Sequence, residues 1–550
     1  MPQLLLGPLL RHAGKTDATV WVQTAEACEV RVADATARTF EVGGHHFALV
    51  VIDGLEPGEM RPYEVHLDGE QAWPPPGEWP YPPSLIRTAA DDRDLGVAFG
   101  SCRVAVPHEE PYTLSADEDE RGREHDALYA LSRRMAHEEP ECWPSLLVLL
   151  GDQVYADEVD PTTREFIRSR RDTAVPPGEQ LADLDEYCHA YRVAWGDPAV
   201  RWLLSTVPSA MIFDDHDVHD DWNTSTDWVT RKRGQGWWDE RIIGAFASYW
   251  LYQHIGNLSP DALAEDPLFC AVRDAEGDVA PVLRRFAFDA DRDVEGTRWS
   301  YSRDLGRTRL IVVDSRAGRV LTPGHRTMTD SDEWRFVEEA SAGDFDHVLI
   351  ATSLPVFLGQ GMHHLEAFNE AISDGAWGGW IARNVGERMR QGLDLEHWAA
   401  FGTSFSMVET LLEAVAAGRD GSPPASVVVL SGDVHHAYLS RVRFPGASTG
   451  SAPVYQAVCS PLRNPLSARE QRAIRAAMSR SAAALGRVLA RAAGVSPPRS
   501  RWGLVGGGPW FDNQVARIDI DGRSARMRIE KAVGRPGGPE LECVFDHALT

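Results

Sequence analysis

Two patterns of apolar and polar residues divide the 550-residue chain. Over residues 1–90 apolar positions alternate with polar ones in short stretches such as "ATVWVQT", "CEVRVAD", "ARTFEV", "HFALVVIDG" and "RPYEVHLDG", with Gly, Asp and Pro between them. Alternation of period two in β-branched text predicts short strands with one buried face. Their spacing predicts a small all-β sandwich, opening with a strand over residues 4–10. The "WPPPGEWPYPP" that follows is stiff and extended, a linker or a long hairpin tip. Over residues 91–550 continuous apolar runs take over: "LGVAFG", "SLLVLL", "SAMIF", "RLIVVD", "HVLIAT", "SVVVLSG" and "VYQAV". Runs of this kind predict strands buried on both faces, alternating with helices in an α/β domain. Helical insertions are expected at about 160–210, 225–285 and 465–500. In the last of them Ile474, Met478, Leu485 and Leu489 share one predicted apolar side. "VARIDIDGRSARMRIEKAV" predicts a hairpin turning at Asp521 and Gly522.

Length and composition then restrict the class. A chain of 550 residues implies at least two domains. With 43% apolar and 25% charged residues it has the balance of a globular protein, not of a disordered one. Lys plus Arg number 55 against 82 Asp plus Glu, a net charge of −27. That field repels phosphate backbones, so general nucleic-acid binding is not expected; an acidic chain still binds phosphate where cations sit at the site. Seven Cys without a CxxC spacing indicate neither a disulfide framework nor a zinc ribbon. No run of about 18 apolar residues predicts a transmembrane segment. A reduced, cytoplasmic protein is the simplest expectation.

The apolar runs end in chemistry. Directly after them come "SCR", "GDQVY", "DDHD", "DSR", "TSLP", "GDVHH" and "CSPLR". In open α/β sheets the ligand site lies beyond the carboxyl ends of the strands. The densest case is "MIFDDHDVHDDWN", where Asp214 to Asp221 holds five Asp and two His in eight residues. Carboxylates packed so closely repel or raise each other's pKa, and a bound cation removes the conflict. One strand-GD turn alone reads as a helix cap; two of them, at Asp152 and Asp433, together with the DDHD element, read as a metal centre. Within DDHD, Asp215, His216 and Asp217 are the functional candidates, while Asp220 and Asp221 suit helix caps.

The series Ser101-Cys102, "GDQVY" with Asp152 and Tyr155, "DDHD" and "GDVH" resembles the alkaline phosphatase D family, the PhoD-like phosphatases, a branch of the calcineurin-like metallophosphoesterases. "DSR" at Asp314–Arg316 and the N-terminal β region fit the same pattern, and "LEPGEMRPYEV" resembles a fibronectin type III corner with Tyr63 two residues late. The resemblance implies a metallophosphoesterase-type β-sandwich of two mixed sheets flanked by helices, with an N-terminal fibronectin- or immunoglobulin-like sandwich. It implies metal-dependent hydrolysis of small phosphate esters, mono- or diesters, with a ferric ion and calcium ions at a dinuclear or trinuclear site; Zn2+, Mn2+ or Mg2+ are the other metals to consider. Carried over residue by residue, Cys102, Tyr155 and His435 bind iron, donors suited to a trivalent ion. Asp152 bridges the metals, and Asp215 and Asp433 supply oxygens to calcium. His216 protonates the leaving oxygen, oriented by Asp217. Arg316 holds either the substrate phosphate or a structural carboxylate. The family's late Trp-Asp-Gly-Tyr stretch is missing; "EHWAAFGTSF" from Glu396 stands there instead.

Three rival readings accompany this one. A metal-stabilised binding or structural protein without turnover would keep the ligands. A metal-dependent ester or amide hydrolase would use them on other substrates. Cys102 would be a nucleophile if a base or a cation such as Arg103 held it as thiolate. The stretch over 463–501 has nine Arg and one acidic residue, Glu470, and reads either as a surface helix pair or as a basic wall that draws in anionic substrate.

Overall fold

The computed structural model describes residues 2–90, 93–446 and 450–550. The boundary expected between residues 90 and 91 meets residues outside that description. Residues 2–90 form two four-stranded antiparallel sheets and a two-stranded one, Met60–Pro62 with Leu85–Arg87. Of the four-stranded sheets one has the order Leu4–Ala13, Asp17–Thr24, His45–Asp53, Phe40–Val42; the other Ala35–Arg38, Glu29–Val32, Val65–Leu67, Glu70–Trp73. Alternation survives at Glu29–Val32, where both valines are buried. It fails at Asp17–Thr24, buried along nearly its whole length, because this strand is covered on both sides. Trp21 on it meets Tyr252, ring centroids 5.0 Å apart. Arg11, fully buried, donates to the carbonyls of Tyr252 and Gln253 at 2.5 and 2.9 Å. One hydrophobic core therefore runs from the first sheet into the second helical insertion. The Pro-rich stretch packs along the surface of the rest: Tyr81 stacks on Trp202 at 5.3 Å, and the Trp202 indole donates to the Pro82 carbonyl.

All seven continuous apolar runs are strands, divided between two mixed sheets. Leu95–Gly100, Leu146–Leu150 and Ser209–Ile212 lie parallel and adjacent in a six-stranded sheet. That sheet is completed by Gln514–Asp521, Ser524–Val533 and Glu540–Ala548, the first two forming the predicted hairpin. Thr308–Val313, His347–Thr352, Ser426–Ser431 and Val454–Val458 lie parallel in a seven-stranded sheet. Both faces of these strands are covered, so nearly every side chain in them is buried. Parallel pairing brings the carboxyl ends of each set to one edge, where the reactive motifs sit.

The insertions are helical, as the periodicity predicts. The first carries helices Pro161–Arg170, Leu184–Trp195 and Pro198–Thr206; the second continues past its expected end to Arg292; the third is the pair Ala468–Ala477 and Arg480–Ala492. The predicted apolar side of that pair is wrong at Leu485, which is 62% exposed, as Val488 is at 63%. Ala483, Gly486 and Ala490 face inward instead. A Cβ on Gly486 would lie 2.9 Å from the Cβ of His364, so this helix lies too close to helix Gln360–Ser373 for a leucine between them. Among the described residues no helix is long and apolar enough to cross a membrane. All seven cysteines are free thiols.

Candidate metal centre

Each motif turns sharply where its strand ends. Cys102, Asp152, Asp433 and His435 have φ of 56°, 52°, 64° and 51°, the left-handed region that side chains other than Gly seldom adopt. Strain of this kind persists where the surroundings fix it, and it clusters at functional sites. The glycines of the two GD turns let the chains close in. A Cβ on Gly151 would come 2.4 Å from the Cβ of Asp214, and one on Gly432 would come 2.1 Å from the Ser101 Oγ. Ser101 ties the two sheets together, its Oγ accepting from the Asp433 N–H at 2.9 Å.

These turns converge on Asp152. Ligand atoms of Cys102, Asp152 and His435 lie within 4.8 Å of one another, and so do those of Asp152, Asp214 and Asp215. Asp152 thus stands at the corner of both groups. It is buried, and neither of its carboxylate oxygens has a hydrogen-bond partner; Asp214 Oδ2 is also unpartnered, while Asp215 Oδ1 lies 3.2 Å from the Arg316 guanidinium. Buried polar atoms are normally satisfied, so three orphan oxygens within one acidic cluster fit a cation. Burial first, then the neighbouring carboxylates, push Asp152 well above the usual carboxylate range. Burial likewise raises the Cys102 thiol and the Tyr155 phenol, each pushed further by Asp152. Without a cation these donors hold their protons; a cation would let them ionise. The same environment counts against Cys102 as a nucleophile, because Arg103 turns away to Asp126, 2.8 Å, instead of supporting a thiolate.

Asn464 organises the Cys102 side. Its side-chain amide donates to the Tyr155 hydroxyl at 3.1 Å, and its carbonyl lies 2.8 Å from His435 Nδ1. With Nδ1–H donated there, the lone pair of His435 is on Nε2. Burial outweighs Asp433 and keeps His435 below its ordinary pKa, the neutral form that a metal takes. Asp433 itself stands between cationic groups: Oδ2 is 3.4 Å from His397 Nε2 and Oδ1 is 3.8 Å from Arg316. These outweigh its burial and hold it below the carboxylate range.

His216 stands beside the cluster, its side chain one-fifth exposed. Its expected partner, Asp217, is a correction. The Asp217 carboxylate accepts instead from the backbone N–H groups of Asp152, Gln153, Val154 and Asp214 at 2.9–3.2 Å. Burial raises it to about 7 against those bonds. It locks the two acidic turns to each other, because four amides attract it more than one imidazole. The partner of His216 is Asp157, with Oδ1 2.9 Å from Nδ1. Burial lowers His216, but Asp215 and Asp157 win and carry it well above its ordinary value. His216 Nε2 is 3.8 Å from Asp220. Neither Asp220 nor Asp221 caps a helix: Ser225 caps the next one, while the Asp220 N–H donates to Asp157 and the Asp221 N–H to Asp215.

Arg316 is fully buried among carboxylates. It bonds Asp214 through Nε, meets Glu396 at 2.6 Å, and lies 3.2 Å from Asp215. Of its two expected roles the structure has the structural one, and the substrate-binding role is corrected. Arg319 also reaches Glu396, at 3.3 Å, and His397 bridges Glu366, at 2.7 Å, to Asp433. "EHWAAFGTSF" thus enters the site through its first two residues. Asp157, Asp214, Glu396, His397 and Asn464 were absent from the sequence candidates; Asp214 reads from the sequence as the end of its strand. The signal available for Asn464 was its place directly after the strand-end text "CSPLR".

Residues 122–266 match the family model of the PhoD-like phosphatases, and residues 1–86 match one described as a domain of unknown function (DUF7800). No curated protein matches the chain. A solved structure of PhoD is similar to it over 100% of this chain and 90% of its own, with a TM-score of 0.59 and 13% sequence identity; at that identity the likeness is one of fold.

Proposed function

We propose, for a chain that belongs through residues 122–266 to the PhoD-like phosphatases, enzymes that hydrolyse phosphoric esters, that the Asp152 cluster is a shared metal centre acting on small phosphate monoesters or diesters. The observation that carries this is the position of Asp152: buried, common to two of the three candidate ligand groups among the described residues, with both oxygens unpartnered; the third group is Asp215, His216 and Asp220. On one side Cys102, Tyr155 and His435 would join it around a ferric ion, since thiolate and phenolate suit a trivalent metal. On the other, Asp214 and Asp215, with Asp433 nearby, offer the hard oxygens that calcium prefers. Cations there would supply Lewis acidity toward the phosphoryl group and toward water.

The remaining chemistry belongs to the chain. His216 carries the proton for the leaving alkoxide on Nε2, its Nδ1–H held by Asp157. The Asp157 carboxylate, 2.9 Å from Nδ1, supports its protonated form. Arg316 and His397 balance the surrounding carboxylates, which keeps the acidic turns from separating in the absence of substrate. The two four-stranded N-terminal sheets are read as a sandwich, and the two mixed sheets as the metallophosphoesterase-type sandwich that presents the site.

Release of p-nitrophenol from p-nitrophenyl phosphate and from bis(p-nitrophenyl) phosphate tests this reading. Activity that is lost on chelation and regained with iron and calcium supports it. Full activity after complete removal of metal sinks it.

A further inference from the structure

The arginine-rich stretch over 463–501 separates into two parts. Arg463 is buried and donates to the carbonyls of Pro107 and Glu124 at 3.0 and 3.2 Å, a role inside the fold. Farther on, helix Arg480–Ala492 lies on helix Gln360–Ser373 through its small residues. Gly361 shares in this close approach: a Cβ there would meet the Cβ of Ala482 at 2.9 Å, and the carbonyl of Ala477 at the end of the preceding helix at 2.1 Å. The packing leaves a cleft of about 320 Å3 bounded by these two helices, by helix Gly402–Ala417 and by the loop that carries Arg499.

Ala399, Phe405 and Ala490 provide an apolar floor, and Arg487, Arg491 and Arg499 stand around it; Glu409 also lines the cleft, its buried carboxylate accepting from the N–H groups of Arg499 and Ser500 and from the Ser500 hydroxyl. Arg499 is paired with Glu413 at 3.0 Å. Arg487 and Arg491 are one helical turn apart, on the same face, where like charges repel. Neither meets a carboxylate among the described residues; Arg487 touches only the neutral Gln360, at 3.4 Å. His363, 3% exposed, also lines the cleft, and its Nδ1 has no hydrogen-bond partner. Its ring rests against Phe405 and Trp502, centroids 4.7 and 4.8 Å away. His364 beside it is held below its ordinary pKa by burial and then by Arg487 and Arg491, a sign of the positive field there. In a chain of net charge −27, two unpaired arginines over a cleft with an unsatisfied imidazole call for an anion.

We propose that this cleft is a second binding site, for a small phosphate-bearing anion. Arg487 and Arg491 take the phosphate, whose oxygens match the guanidinium fork. His363 contributes a further polar contact, and the apolar floor accommodates an organic body. The volume falls in the range of small-molecule pockets, about 300–1,000 Å3. None of the cleft's residues is a candidate metal ligand, so the inference stands apart from the reading of the metal centre.

Equilibrium dialysis of the full metal-loaded chain against radiolabelled inorganic phosphate tests it. Wild type is expected to bind one equivalent more than Arg487→Ala/Arg491→Ala, while the variant's kcat on p-nitrophenyl phosphate stays within about twofold, since neither side chain has a hydrogen bond or ion pair to a residue of the metal centre. Ala367→Trp, which fills the cleft and keeps both arginines, should lose the same equivalent. Retention of that equivalent by either variant overturns the proposal.

Discussion

Asp157→Asn isolates the contact that sequence adjacency misassigned. The substitution preserves shape and removes the charge that faces His216 Nδ1 at 2.9 Å. A hydrogen bond to a charged group contributes about 1.5–3 kcal/mol. At about 1.4 kcal/mol per factor of ten, losing it from the transition state costs roughly 10- to 150-fold in kcat. The loss should depend on the leaving group. An unsubstituted phenolate needs a proton from His216 as it departs, whereas p-nitrophenolate leaves almost unaided, so phenyl phosphate should suffer more than p-nitrophenyl phosphate. Steady-state kinetics on both esters, with metal content measured on the same samples, provide the assay. Asp217→Asn is the contrast. Its carboxylate serves four backbone amides, so that variant should lose metal and stability without a leaving-group dependence. An Asp157→Asn enzyme with unchanged kcat on phenyl phosphate, or one whose loss is equal on both esters, would refute the reasoning.

His216→Ala should lower kcat by roughly 10²–10⁴, the span of a general acid, with metal content at the wild-type level; loss of metal would make His216 a ligand instead. Arg316→Met removes a buried cation from Asp214 and Glu396 and should cost about 3–5 kcal/mol in urea unfolding; unchanged stability with a raised KM would return Arg316 to the substrate. Asp126, buried, is raised by burial but pulled below its ordinary value by Arg103 and then Arg463. Its folded pKa lies below the unfolded one, near 3.9, so the stability it contributes is present above that pH and is lost as pH falls through the folded pKa. Asp126→Asn, which keeps a competent N-cap for helix Ala127–Met135, should therefore flatten the acid limb of Tm against pH; an acid limb identical to wild type would exclude this pair as its source.

The strands and the motifs at their ends are legible in the sequence because both follow from local text. A run such as "SLLVLL" can be buried on both faces only as an inner strand, and the turn after it must carry whatever the strand end presents. Contacts made across the fold are not legible in this way. Asp217 sits next to His216 in the chain, yet it turns back to the amides of Asp152–Val154, and a residue from another loop, Asp157, takes the imidazole. Glu396 and His397 carry no strand-end signature; only the folded chain brings them to Arg316 and Asp433. Leu485 shows the same limit in a helix. Period 3.6 marks it as apolar-side, but the close approach of a second helix at Gly486 admits only small residues there.

The most direct test of the metal centre is anomalous diffraction from crystals of the iron- and calcium-loaded protein, recorded on both sides of the iron absorption edge. The account predicts an iron peak bonded by Cys102, Asp152, Tyr155 and His435, and a second, non-iron cation that shares Asp152 on the side of Asp214 and Asp215. Density without a cation at Asp152 in an active crystal, or a metal bound only elsewhere on the chain, would contradict it.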